Sequence, residues 1–386
     1  MSNILNYLQP RLLEMVEFLR VLVECESPTD NKAAVDKLAN LMAKKLRAIG
    51  AKVEVLPQSS AGNHLKAEWD LRAPADRPPN REDGQVLVLC HLDTVWPVGE
   101  LTRRPFQIEK GKAYGPGAYD MKGGIVMGYY AVKALRELGL STKLRTVFIF
   151  NSDEETQSHS SRDIIEAQSK KSKYVLALEP KFPSGAVKTA RKSVATLTME
   201  VTGKASHAGA APEKGINAIH ELAHQILKLH SLTDLKKGTT VTVGVVTGGS
   251  RPNIVPPSAK AIIDVRVSRP EEGKRIKQAL RTIKPITPGT SVKISGSEER
   301  PLWTRTPQTA ALFEKTRAIA AQLGLTLTET SSGGVSDANF AGALGISTLD
   351  GLGPNGDGAH ALDEYVELST LVPETALIAE LLRVLD

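Results

Sequence analysis

Aromatic residues are scarce in this chain: Trp, Tyr and Phe together make up 4% of its 386 residues. That excludes stacking platforms for single-stranded nucleic acid. Cysteine is rarer still, with Cys25 and Cys90 alone. Two distant thiols in a long chain exclude a disulfide framework. No stretch reaches the roughly 18 uncharged apolar residues that a membrane-spanning helix requires. Met1 to Pro10 lack a basic start followed by an apolar run, so no signal peptide is read there. The formal charge of +6 comes without a dense Lys/Arg run. It reads as a solvated surface with at most a bias towards anionic substrates. These absences point to a cytosolic protein in a reducing compartment, with neither nucleic acid nor membrane as partner.

What is present is ordinary globular composition, 41% apolar and 24% charged. The length predicts two domains. Helices are expected over Leu12 to Glu24 and Lys32 to Ile49, with Gly50 as the stop, then strands over Val53 to Leu56 and His64 to Asp70. Arg72 to Gly84, with Pro74, Pro78 and Pro79, reads as an exposed loop. Near-continuous apolar runs at Gln85 to Cys90, Arg145 to Phe150 and Tyr174 to Leu178 read as buried strands, with a helix over Met121 to Leu138. The alternation predicts an α/β layer with a mostly parallel central sheet and flanking helices. From Thr189 to Glu299 the order becomes strand (Ser193 to Thr202), helix (Asn217 to His230), strands (Thr239 to Val246, Ala259 to Ser268), helix (Glu271 to Ile283) and short strand (Ser291 to Ser295). That is the β-α-β-β-α-β plan of a ferredoxin-like α+β sandwich. Residues 189–299 are therefore expected as an inserted domain, and 1–188 with 300–386 as the catalytic one. The second part resumes with a helix (Ala310 to Leu323), strands (Leu325 to Glu329, Ile346 to Asp350) and a last helix ending near Val384.

The chemistry-bearing residues follow the buried strands. One strand runs into His91-Leu92-Asp93, another into Asp153-Glu154-Glu155, a third into Glu179-Pro180. Ligands of open parallel sheets bind beyond the carboxyl ends of strands, so these clusters can converge. Asp93 can orient the His91 imidazole. The neighbouring Glu154 and Glu155 allow one carboxylate to coordinate metal while the other takes a proton from water. Asp120 follows the run Gly115-Pro116-Gly117 and precedes a helix, where a plain N-cap is the competing reading. Gly356-Asp357-Gly358-Ala359-His360 puts a second histidine on a Gly-rich loop. Mixed N/O donors without thiolate suit zinc, with manganese or cobalt as alternatives. One carboxylate can bridge two ions.

His220-Glu221-Leu222-Ala223-His224 points elsewhere, to the H-E-x-x-H zinc peptidases, with His230 at the third-histidine spacing. That reading is set aside. The helix-breaking Gly is replaced by Leu227, no Met follows Met199, and on a continuous helix His230 lies ~15 Å along the axis from His220. The segment reads as an amphipathic helix with histidines at its flank.

The segments His91-Leu92-Asp93-Thr94-Val95, Asp120-Met121-Lys122-Gly123-Gly124, Asp153-Glu154-Glu155, Ser206-His207-Ala208-Gly209, Asn253-Ile254-Val255-Pro256, Asp264-Val265-Arg266 and Gly358-Ala359-His360, in this order, resemble one family. It is the dinuclear zinc aminoacylase and carboxypeptidase family, which includes glutamate carboxypeptidase, acetylornithine deacetylase and succinyl-diaminopimelate desuccinylase. The likeness is nearest to the glutamate carboxypeptidase branch. The resemblance implies two zinc ions bridged by Asp120, with His91 and Glu179 on one and Glu155 and His360 on the other. It implies Glu154 as general base, Asp93 as orienter of His91 and a cis peptide at Asp120-Met121. It further implies an inserted domain acting as lid and dimerisation domain of a homodimer, and His207 reaching the partner's active site to stabilise the oxyanion. Asn253 and Arg266 would hold a small peptide or N-acyl amino acid, with Gly333 and Gly334 bordering that pocket. The activity implied is release of a C-terminal amino acid, with N-acyl-amino-acid deacylation or dipeptide cleavage as the alternative.

Overall fold

The structure is a computed structural model that describes residues 3–74 and 84–386. Residues 75–83, most of the expected Arg72 to Gly84 loop with Pro78 and Pro79, lie outside the described residues. Contacts divide the chain into two units: Met1–Ala190 with Arg305–Ser332 and Ser336–Asp386, and Arg191–Thr304 with Gly333–Val335. Each has its own apolar core.

The first unit is built on a six-stranded sheet in the order Lys52–Leu56, His64–Trp69, Arg145–Asn151, Gln85–His91, Tyr174–Ala177, Ser347–Leu349. The last four strands run parallel. The first two join antiparallel at one edge, so the sheet is mixed. Gln85–His91 lies in the middle with all seven residues buried, as expected of a strand covered on both faces. The helix Gly123–Glu137 crosses this region, and twelve of its fifteen residues are buried. Its close approach depends on Gly124: a Cβ there would overlap the Leu178 carbonyl oxygen. The helix thereby packs directly against the chain leading to Glu179.

A second, small antiparallel sheet joins Gly356–Asp357, Tyr365–Glu367, Lys112–Tyr114 and Gln107–Glu109. Strands of two or three residues carry no periodic signal, and the sequence reading has no trace of them. The strand expected over Leu325 to Glu329 is instead Glu329–Ser332. Alternation there marks a buried side chain, Leu327, not the start of a ladder.

The second unit holds a four-stranded antiparallel sheet in the order Thr240–Gly248, Ser258–Val267, Ser193–Thr202, Ser291–Arg300, with helices Ala218–His230 and Pro270–Arg281. Its last strand is twice the expected length. It pairs past Ser295 through Gly296 to Arg300, with a bulge between Glu298 and Arg300. That half has no apolar alternation, so only the backbone ladder reveals it. Among the described residues no helix is long and apolar enough to cross a membrane. Cys25 and Cys90 are free and buried.

Candidate metal centre

Strand register brings the first donors together. His91 pairs with Asn151, and Leu89 with Ala177. Two residues past Ala177, Glu179 therefore comes level with His91. The turn after Asn151 carries Glu154 and Glu155 over the same edge of the sheet. Asp120 arrives differently. Past Lys112–Tyr114 the chain turns through Gly115 to Gly117, and Asp120 takes non-helical backbone (φ −113, ψ 96) before the helix begins. The helix is preceded by Lys122 without a side-chain cap bond, so Asp120 is not its N-cap. The Asp120–Met121 peptide is cis. His360 lies between Gly356–Asp357 and Tyr365–Glu367, and the small sheet sets this loop beside the Asp120 loop. Its φ of 63 is left-handed, a conformation that non-glycine residues adopt mainly where the surroundings hold it.

The five side chains form two groups that share Asp120: His91, Asp120 and Glu179, and Asp120, Glu155 and His360, each with donor atoms within 4.8 Å of one another. Asp120 Oδ1 is 3.1 Å from His91 Nε2, and its Oδ2 is 3.4 Å from His360 Nε2. Glu179 Oε1 lies 3.8 Å from His91 Nε2, and Glu155 Oε2 lies 3.1 Å from His360 Nε2. His91 Nδ1 lies 3.0 Å from the Asp93 backbone carbonyl and 3.5 Å from its carboxylate. A proton held on Nδ1 turns the Nε2 lone pair towards Asp120 and Glu179. The Asp93 carboxylate also accepts from Thr29 Oγ1 (2.8 Å) and from the backbone N–H groups of Glu154 (3.3 Å) and Glu155 (3.1 Å).

Three carboxylates, Asp120, Glu155 and Glu179, thus face two imidazoles. Burial, aided by the Asp120 charge, pushes the Glu155 carboxyl up to about 7 against its bond to His360. Burial and the Asp120 charge drive Glu179 well above the carboxylate range. The charge of Glu154 adds to both. Burial would raise Asp120 too, but His360 and His91 hold it below its ordinary value. Burial pulls the His91 imidazole down, yet Asp120 and Asp93 lift it well above its usual range. Hydrogen bonds to Asp120 and Glu155 raise His360 to about 11. The site demands positive charge, which protons or divalent cations can supply in competition. The residues fit a cation pair. Among the described residues Glu155 Oε1 is buried without a hydrogen-bond partner, each group offers one imidazole and two carboxylates, and one carboxylate faces both groups.

The remaining expected residues belong to the second unit. His207 Nδ1 accepts from Gly209 and Ala210 N–H at 3.2 and 3.0 Å, which leaves its proton on Nε2 as an outward donor. Asn253 is beside it: its carbonyl accepts the Ala208 N–H, and Ile254 pairs with His207. Arg266 is already engaged, with Nε and Nη2 on Asp264 and Nη1 on the Gly333 carbonyl at 3.0 Å. Gly334 follows Gly333 in the same short segment. In the H-E-x-x-H segment Glu221 is fully buried and accepts the Ile286 and Thr287 N–H groups, while His220 and His224 pack ring to ring. Its carboxylate fastens a loop and does not join the histidines. Sequence reasoning missed Glu364, which is buried and takes up backbone N–H groups of the Asp120 loop. Beside Asp363 it resembles any surface acid.

A model of peptidase family M20/M25/M40 matches residues 87–384. Carboxypeptidase G2 of Pseudomonas sp. (strain RS-16) is 31% identical over 373 residues, 95% of this chain and 88% of that protein. Acetylornithine deacetylase of Proteus mirabilis is 25% identical, covering 97% of each. Among solved structures, a tripeptidase from Staphylococcus aureus superposes with a TM-score of 0.77 at 19% identity, over 97% of this chain and 98% of that one.

Proposed function

The chain belongs to peptidase family M20/M25/M40, and from that premise we propose that it is a dinuclear zinc enzyme releasing a C-terminal amino acid by amide hydrolysis. A metallopeptidase-family hydrolase is what membership itself states. The observation that carries the finer reading is the Asp120 carboxylate, with one oxygen directed at each ligand group. His91, Asp120 and Glu179 would hold one ion, and Asp120, Glu155 and His360 the other. When bound, such a pair supplies Lewis acidity and brings the acidity of water to near neutral pH.

The protein's own groups account for the remainder. Glu154 accepts a proton from the attacking water and returns it to the amide nitrogen as the C–N bond breaks. Asp93 fixes the turn that aims Glu154 and the ring that aims His91. His207 offers its Nε2 proton to the oxyanion across a homodimer, a contribution of about 3–4 kcal/mol for such donors elsewhere. The dimer reading is supported by the edge strand Thr240–Gly248, which exposes Val245 and Val246. Arg266 with Asn253, Gly333 and Gly334 forms the recognition side for the substrate carboxylate, Arg266 exchanging its Asp264 partner for it. The enzyme works in the cytoplasm on small peptides or N-acyl amino acids.

The likeness to carboxypeptidase G2 favours C-terminal release, and the likeness to acetylornithine deacetylase favours the alternative of N-acyl cleavage. N-acyl glutamates, folate-like conjugates, acetylornithine and dipeptides, each assayed with and without chelator, separate the two. Chelator-sensitive release of glutamate or another C-terminal residue is expected. Turnover of acetylornithine alone would move the assignment to deacylation.

A further inference from the structure

Glu364 is 1% exposed, and among the described residues its carboxylate oxygens are bonded by N–H donors. Its Oε1 accepts the backbone N–H groups of Tyr119 and Asp120, both at 3.0 Å. Its Oε2 accepts the backbone N–H of Gly117 at 2.9 Å and the Trp96 indole N–H at 3.0 Å. Two oxygens thus take four N–H groups, an arrangement only a carboxylate satisfies. The four donors belong to two segments. Trp96 follows His91 by five residues, and Gly117 to Asp120 end on the shared carboxylate. Glu364 itself follows His360 by four. Arg104 ties the third segment in. Its guanidinium lies 3.8 Å over the Trp96 ring, and its Nη1 donates to the carbonyls of Ala361 and Leu362 at 3.2 and 2.9 Å.

We propose that Glu364 is the positioning residue of the centre: its carboxylate fixes the backbone of Gly117 to Asp120 so that the two Asp120 oxygens face two different ligand groups. This rests on the reading of Asp120 given under Proposed function. Glu364 belongs to neither donor group and acts through the Asp120 backbone. Asp120 is common to both groups, so loosening this loop weakens both. Loss of His360 would weaken one.

The test uses the full chain with the isosteric E364Q. A glutamine oxygen can keep one pair of donors, but its NH2 then opposes the N–H groups of the other pair. Two readouts are taken: amide hydrogen exchange at Gly117, Tyr119 and Asp120 in metal-free protein, and zinc affinity by chelator competition below the unfolding temperature. E364Q is expected to expose these amides to exchange and to lower zinc affinity at both sites about 10–100-fold. W96F, which removes one donor of four, should have a weaker effect in the same direction. Adding W96F to E364Q should restore part of the loss, because it removes one of the opposed donors. E221Q is the control for mere stability, as Glu221 also holds backbone N–H groups in a buried site, and belongs to the second unit. It should lower the unfolding midpoint and leave zinc affinity unchanged. Wild-type exchange and affinity in E364Q would overturn the proposal, as would an equal loss of affinity in E221Q. If E364Q does not fold, W96F alone decides by the same two readouts. If wild type binds no zinc while the amides still open in E364Q, the metal reading fails and the clamp stands.

Discussion

Asp93 Oδ2 accepts the backbone N–H of Glu155 at 3.1 Å, a contact spanning 62 residues of chain. The same carboxylate lies 3.5 Å from the His91 ring. One side chain thus orients a donor of the first group and the turn that carries a donor of the second. Asp93→Asn keeps the shape but leaves one oxygen for these partners. It should lower both zinc affinity and kcat/KM by about 10–100-fold, read by chelator competition and steady-state kinetics.

Glu154 stands beside both groups, and its charge reaches Glu155 and Glu179. Glu154→Gln removes the proposed proton acceptor and little else. Turnover should fall about 10²–10⁴-fold, with metal content by mass spectrometry unchanged. Near-normal turnover with metal retained would remove Glu154 from the mechanism.

The two groups share one residue and differ in the others. His360→Ala should therefore lower the bound metal from two ions per chain to one, and Asp120→Asn should weaken both. Equilibrium dialysis reads both numbers. Chelation of the wild type should abolish turnover and lower the unfolding midpoint, since an ion that binds only the folded chain stabilises it by mass action.

His64 supplies a pH dependence outside the two donor groups. Its ring is fully buried between Ser152 and Ser160, at 2.9 and 3.1 Å. Burial lowers its pKa, and the charges of Asp153 and Asp93 offset this only in part. The unfolded chain then takes up the proton first. Stability from this group is complete above the ordinary histidine value of about 6.5 and falls as pH drops below it, by at most about 1.4 kcal/mol per pH unit. Denaturant unfolding between pH 7.5 and 5.5 should show this slope, and His64→Gln should flatten it. An unchanged slope in the variant would assign it to other groups.

At Gly124 a methyl group would press into the Leu178 carbonyl oxygen. Gly124→Ala should cost about 1–3 kcal/mol of stability, measured by the denaturant midpoint. Because Leu178 precedes Glu179, zinc affinity should fall with it.

Much of the centre could be read from the chain because buried parallel strands announce themselves by composition, and residues at their carboxyl ends inherit that signal. His91, Glu155 and Glu179 were legible in this way. Asp120 and His360 were legible as candidates on Gly-rich loops, with a plain N-cap the better reading of Asp120 alone, and gained their place in the set from motif resemblance. Their loops are brought together by strands of two or three residues, too short for any periodicity. Glu364 had no signal, since its partners are backbone N–H groups more than 240 residues away. In His220-Glu221-Leu222-Ala223-His224 the spacing was right, but the helix turns Glu221 inward, and spacing alone does not reveal which face is covered. The second half of Ser291–Arg300 was missed for a related reason. A ladder of backbone bonds does not require apolar side chains.

The candidate donors are unequally distributed along the chain. His91, Asp120 and Glu179 all precede residue 190, whereas His360 and its neighbour Glu364 follow the whole second unit. A chain emerging from the ribosome therefore exposes one complete donor triad while some 200 residues remain to be added. The carboxylate that clamps the Asp120 loop comes only near the end. Only with arrival of the last segment does the group that shares Asp120 with the first gain its imidazole. The interruption of the first unit by the second thus imposes a temporal order on the assembly of the two donor groups.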